Sequence, residues 1–194
     1  MDDYLKLKKE LIQCRDCEEK FGFEPHPIMW GNENAKIMQI SQAPSLLVHN
    51  TGKPFNDLSG KKLRNQWYEI SDALFYNKDN FYIASMAHCY PGKSKSGGDN
   101  PPPKHCSKKW LPKELEIVNN EIYIVIGSYA AKMLFPRQQF TTLIFNNQEL
   151  NGKPAFVLPH PSPLNQRWFK QNPEFEKTRI KEIRKIVHRI LNIT

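Results

Sequence analysis

The chain has 194 residues, 39% of them hydrophobic, and a formal net charge of +8. That composition supports one sizeable core and argues against a disordered chain. No segment recurs at a fixed period, which argues against a solenoid, and no apolar run approaches the ~20 residues of a membrane span.

The opening MDDYLKLKKELIQC is charged and amphipathic, unlike a secretory signal, so a cytoplasmic protein with reduced thiols is expected. Tyr4, Leu7 and Leu11 share one face of a helix predicted over 2–13. Residues 35–41 (AKIMQIS) read as a buried strand, and 42–58 as a long connection broken by Pro44, Gly52 and Pro54. Leu63, Trp67, Ile70 and Leu74 recur at helical spacing and predict a helix over 59–75. A second strand follows at 81–89 (FYIASMAHC), then a loop at 91–105 rich in Gly and Pro. A helix over 107–119 is interrupted near its start by Pro112. The remaining elements are a strand at 122–127, a helix at 128–135, a strand at 154–159 and a last helix at 173–191.

Apolar strands alternating with helices predict a three-layer α/β/α sandwich around a mostly parallel four-stranded sheet, one domain over 1–194. Such sheets bind ligands beyond the carboxyl ends of their strands. Three strands run directly into unusual segments there: Gln42-Ala43-Pro44, His88-Cys89-Tyr90-Pro91 and His160-Pro161-Ser162.

Charge is unevenly spread. Residues 91–113 hold six lysines against Asp99, a net of +5, and residues 166–194 hold eight Lys or Arg against three Glu, again +5. Two basic segments on a slightly acidic body form a footprint for a polyanion, or else a solubilising loop and a solvated helix face.

Four cysteines are spaced as C-x2-C, a long gap, then C-x16-C: Cys14, Cys17, Cys89 and Cys106. Four thiolates suit tetrahedral zinc or an iron–sulfur cluster, and spacing alone does not choose between them. Unrelated buried thiols or a redox C-x-x-C are the plainer readings.

Taken in order, the motifs resemble the uracil-DNA glycosylase superfamily, above all its iron–sulfur (family 4) branch. The resemblance rests on Cys14/Cys17, then Ser41-Gln42-Ala43-Pro44-Ser45, Gly52-Lys53-Pro54-Phe55, Cys89, Cys106 and His160-Pro161-Ser162. It implies a [4Fe-4S] cluster in preference to zinc, and DNA with a damaged base as partner. By the same resemblance Phe55 stacks on a base flipped out of the duplex, and His160 donates to the oxygen that gathers charge as the glycosidic bond breaks. Leu164 matches an inserted wedge. The amides of Ala43 and Ser45 and the hydroxyl of Ser162 are candidates for phosphate contacts. Arg167, Trp168 and Lys170 follow the wedge in positions suited to phosphates or stacking, and packing beneath the last helix is the alternative for Trp168.

Three departures shape the expectation. Gln42 stands where the family has an acid, and a carboxamide orients water without accepting its proton; Asp57, the nearest acid in that loop, is the candidate to supply the missing catalytic carboxylate. Ser85 stands where the family reads uracil with an asparagine, so Asn50 or Asn56 would compensate, or a different damaged base would be the substrate. Ser41 and Ser45 replace two glycines and restrict close phosphate approach. His49 is placed near the pocket or in solvent, and His88 beside the cysteines in a structural role. The expected function is a monomeric DNA-repair glycosylase acting on a deaminated base, uracil first. The alternatives are a weak or inactive DNA-binding protein of the same fold, and an iron–sulfur or zinc protein whose basic segments are only surface.

Overall fold

The computed structural model describes residues 3–95 and 97–193. Met1, Asp2, Ser96 and Thr194 lie outside the described residues, and with them the first position of the predicted opening helix and one position of the predicted loop. Five strands form one sheet: β1 (Ile37–Ser41), β2 (Phe81–Ser85), β3 (Ile122–Ile126), β4 (Gln148–Leu150) and β5 (Lys153–Leu158), in the order β2-β1-β3-β5-β4.

Strands β1, β2 and β3 are buried at every position. Alternate side chains point to opposite faces, so both faces are covered by helices, which is why these strands read as continuous apolar runs. The β1–β2, β1–β3 and β3–β5 pairings are parallel, with Ser41 opposite Ser85 and Ile124 opposite Phe156.

The fifth strand corrects the four-strand expectation. β4 pairs antiparallel with β5 across a turn at Asn151-Gly152, both with positive φ (50° and 72°). Asn-Gly is the strongest short hairpin signal, and the two-residue turn fixes the register. The strand expected over 81–89 ends at Ser85, level with the end of β1, and Met86 and Ala87 then bond back to the carbonyls of Ser41 and Gln42.

The expected connection 42–58 contains a helix, Leu46–Thr51, which Ser45 caps through a bond from the Val48 N–H, with Gly52 closing it at φ 66°. The single helix expected over 59–75 is a helix Leu58–Lys62, a wider π-type segment Leu63–Tyr68 that ends at Glu69 (φ 51°), and a second helix Asp72–Tyr76 capped by Ser71. A serine N-cap thus overrode the apolar period that ran across it. The Pro112 helix starts earlier than expected, at Lys104, and runs to Ile117. The last helix, Ile180–Ile190, is preceded by a π-type turn at Phe175–Arg179. Among the described residues no helix is long and apolar enough to cross a membrane.

Candidate active site

A cavity of about 340 Å³ opens beyond the carboxyl ends of β1, β2 and β5. β1 pairs with β2 on one side and β3 on the other, so its carboxyl end is the topological switch point where such sheets bind ligands. The volume falls in the range of small-molecule sites. Most of the expected site residues line it: Gln42, Ala43 and Ser45 at the end of β1; Phe55 and Asp57 from the following loop; Ser85 from β2; and His160, Ser162 and Leu164 after β5.

His160 is held in one orientation. The Ser162 N–H donates to its Nδ1 at 3.2 Å, and Asn165 Nδ2 donates to its carbonyl at 3.2 Å. Beneath it Gly127 sits at φ 86°, and a Cβ there would make only ordinary contact with the ring, 3.7 Å from its Cδ2. Burial pushes the His160 pKa below 6.5, opposed by the nearby Asp57 carboxylate. The ring is therefore neutral at pH 7. With Nδ1 accepting, its proton sits on Nε2. The site thus holds a neutral imidazole with an N–H to give.

Phe55 sits at φ 53°, a region that costs a bulky residue energy unless its surroundings impose it. Its carbonyl accepts from Arg64 Nη1 and from the Tyr76 hydroxyl at 3.2 Å. Arg64 is itself fixed by Asp72 at 2.7 Å. Gly60 makes this possible: a Cβ there would lie 1.7 Å from the Phe55 oxygen. The Phe55 ring meets Phe75 edge-on, with centroids 6.2 Å apart.

Asp57 lines the cavity, and one of its oxygens accepts from the Gly60 N–H at 2.9 Å as a helix N-cap. Ser85 pairs with Ser41, their hydroxyls 3.1 Å apart on adjacent strands. Gln42 is half-buried. The Ser45 and Ser162 hydroxyls accept from the N–H groups of Val48 and Leu164. Leu164 is 92% exposed, the most exposed large hydrophobic residue described.

Not every expected residue reaches the cavity. Arg167 is exposed on the helix Gln166–Gln171, outside the lining. Trp168 takes its packing alternative, against Phe169 and Phe175. His49 meets His26 edge-on and Tyr90 at a tilt, outside the lining. Asn56 bonds Thr51 Oγ1 at 2.8 Å, and neither Asn56 nor Asn50 lines the cavity.

One lining carboxylate escaped the sequence reading. Asp99 reaches the cavity from the basic loop, which is not wholly irregular: Lys93 and Asp99 form an antiparallel bridge. The signal was present, since Asp99 is the only acid among residues 91–113.

The four cysteines face a second, small cavity together with His88 and His105. None of the four is in a disulfide. Cys89 is hydrogen-bonded to Cys17, and that bond together with burial drives its pKa far up. Burial pushes the Cys106 thiol up to about 12. Lys109 Nζ, 3.9 Å from Cys14 Sγ, and the His88 N–H, 3.4 Å from Cys106 Sγ, are donors suited to thiolate sulfur. Among the described residues no three His, Cys, Asp or Glu side chains form a group able to hold a metal ion. The structure therefore supplies the donor set of a four-thiolate site without its coordination geometry.

His88 is buried as expected. It bridges the Ile28 carbonyl at 2.9 Å and Glu114 at 3.1 Å, and Glu114 also accepts from the Tyr82 hydroxyl at 2.9 Å. Burial alone would lower its pKa; the Glu114 carboxylate more than offsets this.

A model of the uracil DNA glycosylase superfamily matches residues 28–184. A Type-4 uracil-DNA glycosylase of Sulfurisphaera tokodaii is 25% identical over 138 residues, 71% of this chain and 60% of that protein. One of Archaeoglobus fulgidus is 25% identical over 150 residues, 74% of this chain and 70% of its own. A Type-5 uracil-DNA glycosylase of Pyrobaculum aerophilum is 29% identical over 162 residues, 76% of this chain and 70% of its own. The match thus spans less than two thirds of the Sulfurisphaera protein.

Proposed function

Because the chain belongs to the uracil-DNA glycosylase superfamily, we propose that it hydrolyses the N-glycosidic bond of a deaminated base in DNA, uracil first. The observation that carries this reading is the convergence of Phe55 and His160 on one cavity at the switch point of the sheet.

A base must leave the stack to be cut. Leu164, standing free at the cavity rim, fills the gap it leaves. The flipped base stacks on Phe55, whose ring is fixed because its backbone is fixed. The Ser41–Ser85 hydroxyl pair faces the base edge. Each hydroxyl can donate or accept, so the pair reads either polarity and selects less strictly than a carboxamide. As the bond breaks, charge grows on a base oxygen, and the His160 Nε2–H is a donor prepared for it. The thiols of Cys14, Cys17, Cys89 and Cys106 hold a [4Fe-4S] cluster, zinc being the alternative. When bound, the group ties the N-terminal helix to the loop that follows β2. Ala43, which lines the active cavity and packs against the Cys106–Trp110 cluster, joins the two regions.

Excision assays on single- and double-stranded DNA containing uracil, then hypoxanthine and xanthine, test the proposal. Release of none of these bases would sink it. Phe55→Ala removes the stacking face and lowers base release about 5- to 150-fold, the effect of 1–3 kcal/mol lost per stacked base. Protein isolated without air contains iron and sulfide, and Cys106→Ser lowers both together with the melting temperature; zinc without sulfide would overturn the cluster assignment. The second reading, a DNA-binding protein with little catalysis, draws on Gln42 and Ser85. Salt-dependent DNA binding without base release at high protein concentration would establish it.

A further inference from the structure

Water must also be activated, and the residue at the family's acidic position cannot do it: Gln42 has no proton-accepting carboxylate. Two carboxylates line the cavity, Asp57 and Asp99. They differ in how they are held. Asp57 spends one oxygen capping a helix, at 2.9 Å from the Gly60 N–H. Asp99 has no such backbone duty. Its Oδ1 accepts from the hydroxyl of the buried Tyr90 at 3.1 Å, which aims the carboxylate and leaves Oδ2 without a partner among the described residues.

Its loop is built to present it. The Ser94 N–H bonds the Gly98 carbonyl at 3.0 Å, and the Asn100 N–H bonds the Gly92 carbonyl at 2.8 Å. The Asn100 side chain ties down the carbonyls of Pro91 and Lys93. This small hairpin projects one acid from a run of six lysines. A carboxylate at a mouth that receives DNA weakens attraction for phosphate, so electrostatic binding does not account for its place there.

Building on the glycosylase reading, we propose that Asp99 is the carboxylate that takes the proton of the attacking water, with Tyr90 as its positioning residue. The water oxygen bonds to the sugar C1′. The bond from C1′ to the base nitrogen breaks, and its electron pair leaves on the base, where the His160 N–H stabilises it. The proton released by the water passes to Asp99 and then to solvent.

Single-turnover release of uracil from DNA, measured beside DNA affinity, tests this. Asp99→Ala lowers the rate about 10²–10⁴-fold with affinity unchanged or slightly tighter, and added formate restores part of the loss. Tyr90→Phe gives a smaller loss in rate, also without loss of affinity. Asp57→Ala removes an N-cap worth ~1 kcal/mol and so lowers the melting temperature, and formate does not restore whatever rate it loses. Wild-type rates in Asp99→Ala, or a formate-rescued loss in an Asp57→Ala variant instead, would overturn the assignment. If the wild-type protein releases no base, the glycosylase reading itself fails, and this inference with it.

Discussion

Replacing His160 by alanine lowers the single-turnover rate of base release by about 10²–10³-fold while DNA affinity stays near that of the wild type. The expected size is that of deleting one preorganised donor from an oxyanion site, ~2.7–4 kcal/mol of transition-state stabilisation. The ring is prepared for this before substrate arrives. Ser162 fixes Nδ1 as the acceptor, and burial keeps the ring neutral. Asparagine in its place retains part of the rate, because it restores an N–H without the ring's reach. Undiminished excision by His160→Ala would remove this residue from the chemistry.

A second readout follows from the depressed pKa. The folded ring takes up its proton at lower pH than the unfolded chain, whose histidine titrates near 6.5. Its contribution to stability is therefore complete above about pH 6.5 and is lost as pH falls toward the folded pKa. Chemical denaturation of His160→Ala between pH 7 and pH 5 shows a shallower fall in stability than the wild type.

Gly60→Ala is expected to destabilise the fold by about 3 kcal/mol or more, the upper end for a forced overpacking, and to lower the melting temperature by roughly 6–12 °C at 2–4 °C per kcal/mol. The new Cβ would meet three backbone atoms of Phe55, at 1.7, 2.4 and 2.8 Å, none of which can rotate away. Phe55 would have to move, giving up the bonds from Arg64 and Tyr76 that hold its carbonyl. The same substitution therefore also removes the stacking face. A melting temperature within about 2 °C of wild type for Gly60→Ala alone would contradict the geometry.

What could be read in the sequence followed a physical divide. The buried strands announced themselves because a sheet covered on both faces needs unbroken apolar runs, as in Ile122–Ile126. The cavity was legible because its residues sit directly after strands whose ends must lie together: Gln42 follows β1, and His160 follows β5. The Asn151-Gly152 hairpin leaves only a local signal, because β4 is three residues long. Asp99 was hidden for another reason. Its role depends on a hydroxyl nine residues away and on a loop whose composition described only flexibility and charge. Asp57 was seen as a carboxylate, but its cap on Gly60 becomes visible only once the helix exists. The strain at Phe55 had no sequence signature either, because the residues that impose it, Gly60, Arg64 and Tyr76, are drawn from separate turns.

The edges of the sheet carry one more consequence. An open edge is a row of unpaired amides and carbonyls onto which another chain can add a strand. Here β2, at one edge, is met at its middle residue, Ile83, by an antiparallel bridge from Trp30, whose carbonyl accepts the Ile83 N–H at 2.8 Å. The other edge is β4, only three residues long. Neither offers a second copy a ladder worth extending. Resistance to fibrous self-association is thus built into the backbone itself and persists in high salt, where the +8 charge no longer keeps molecules apart.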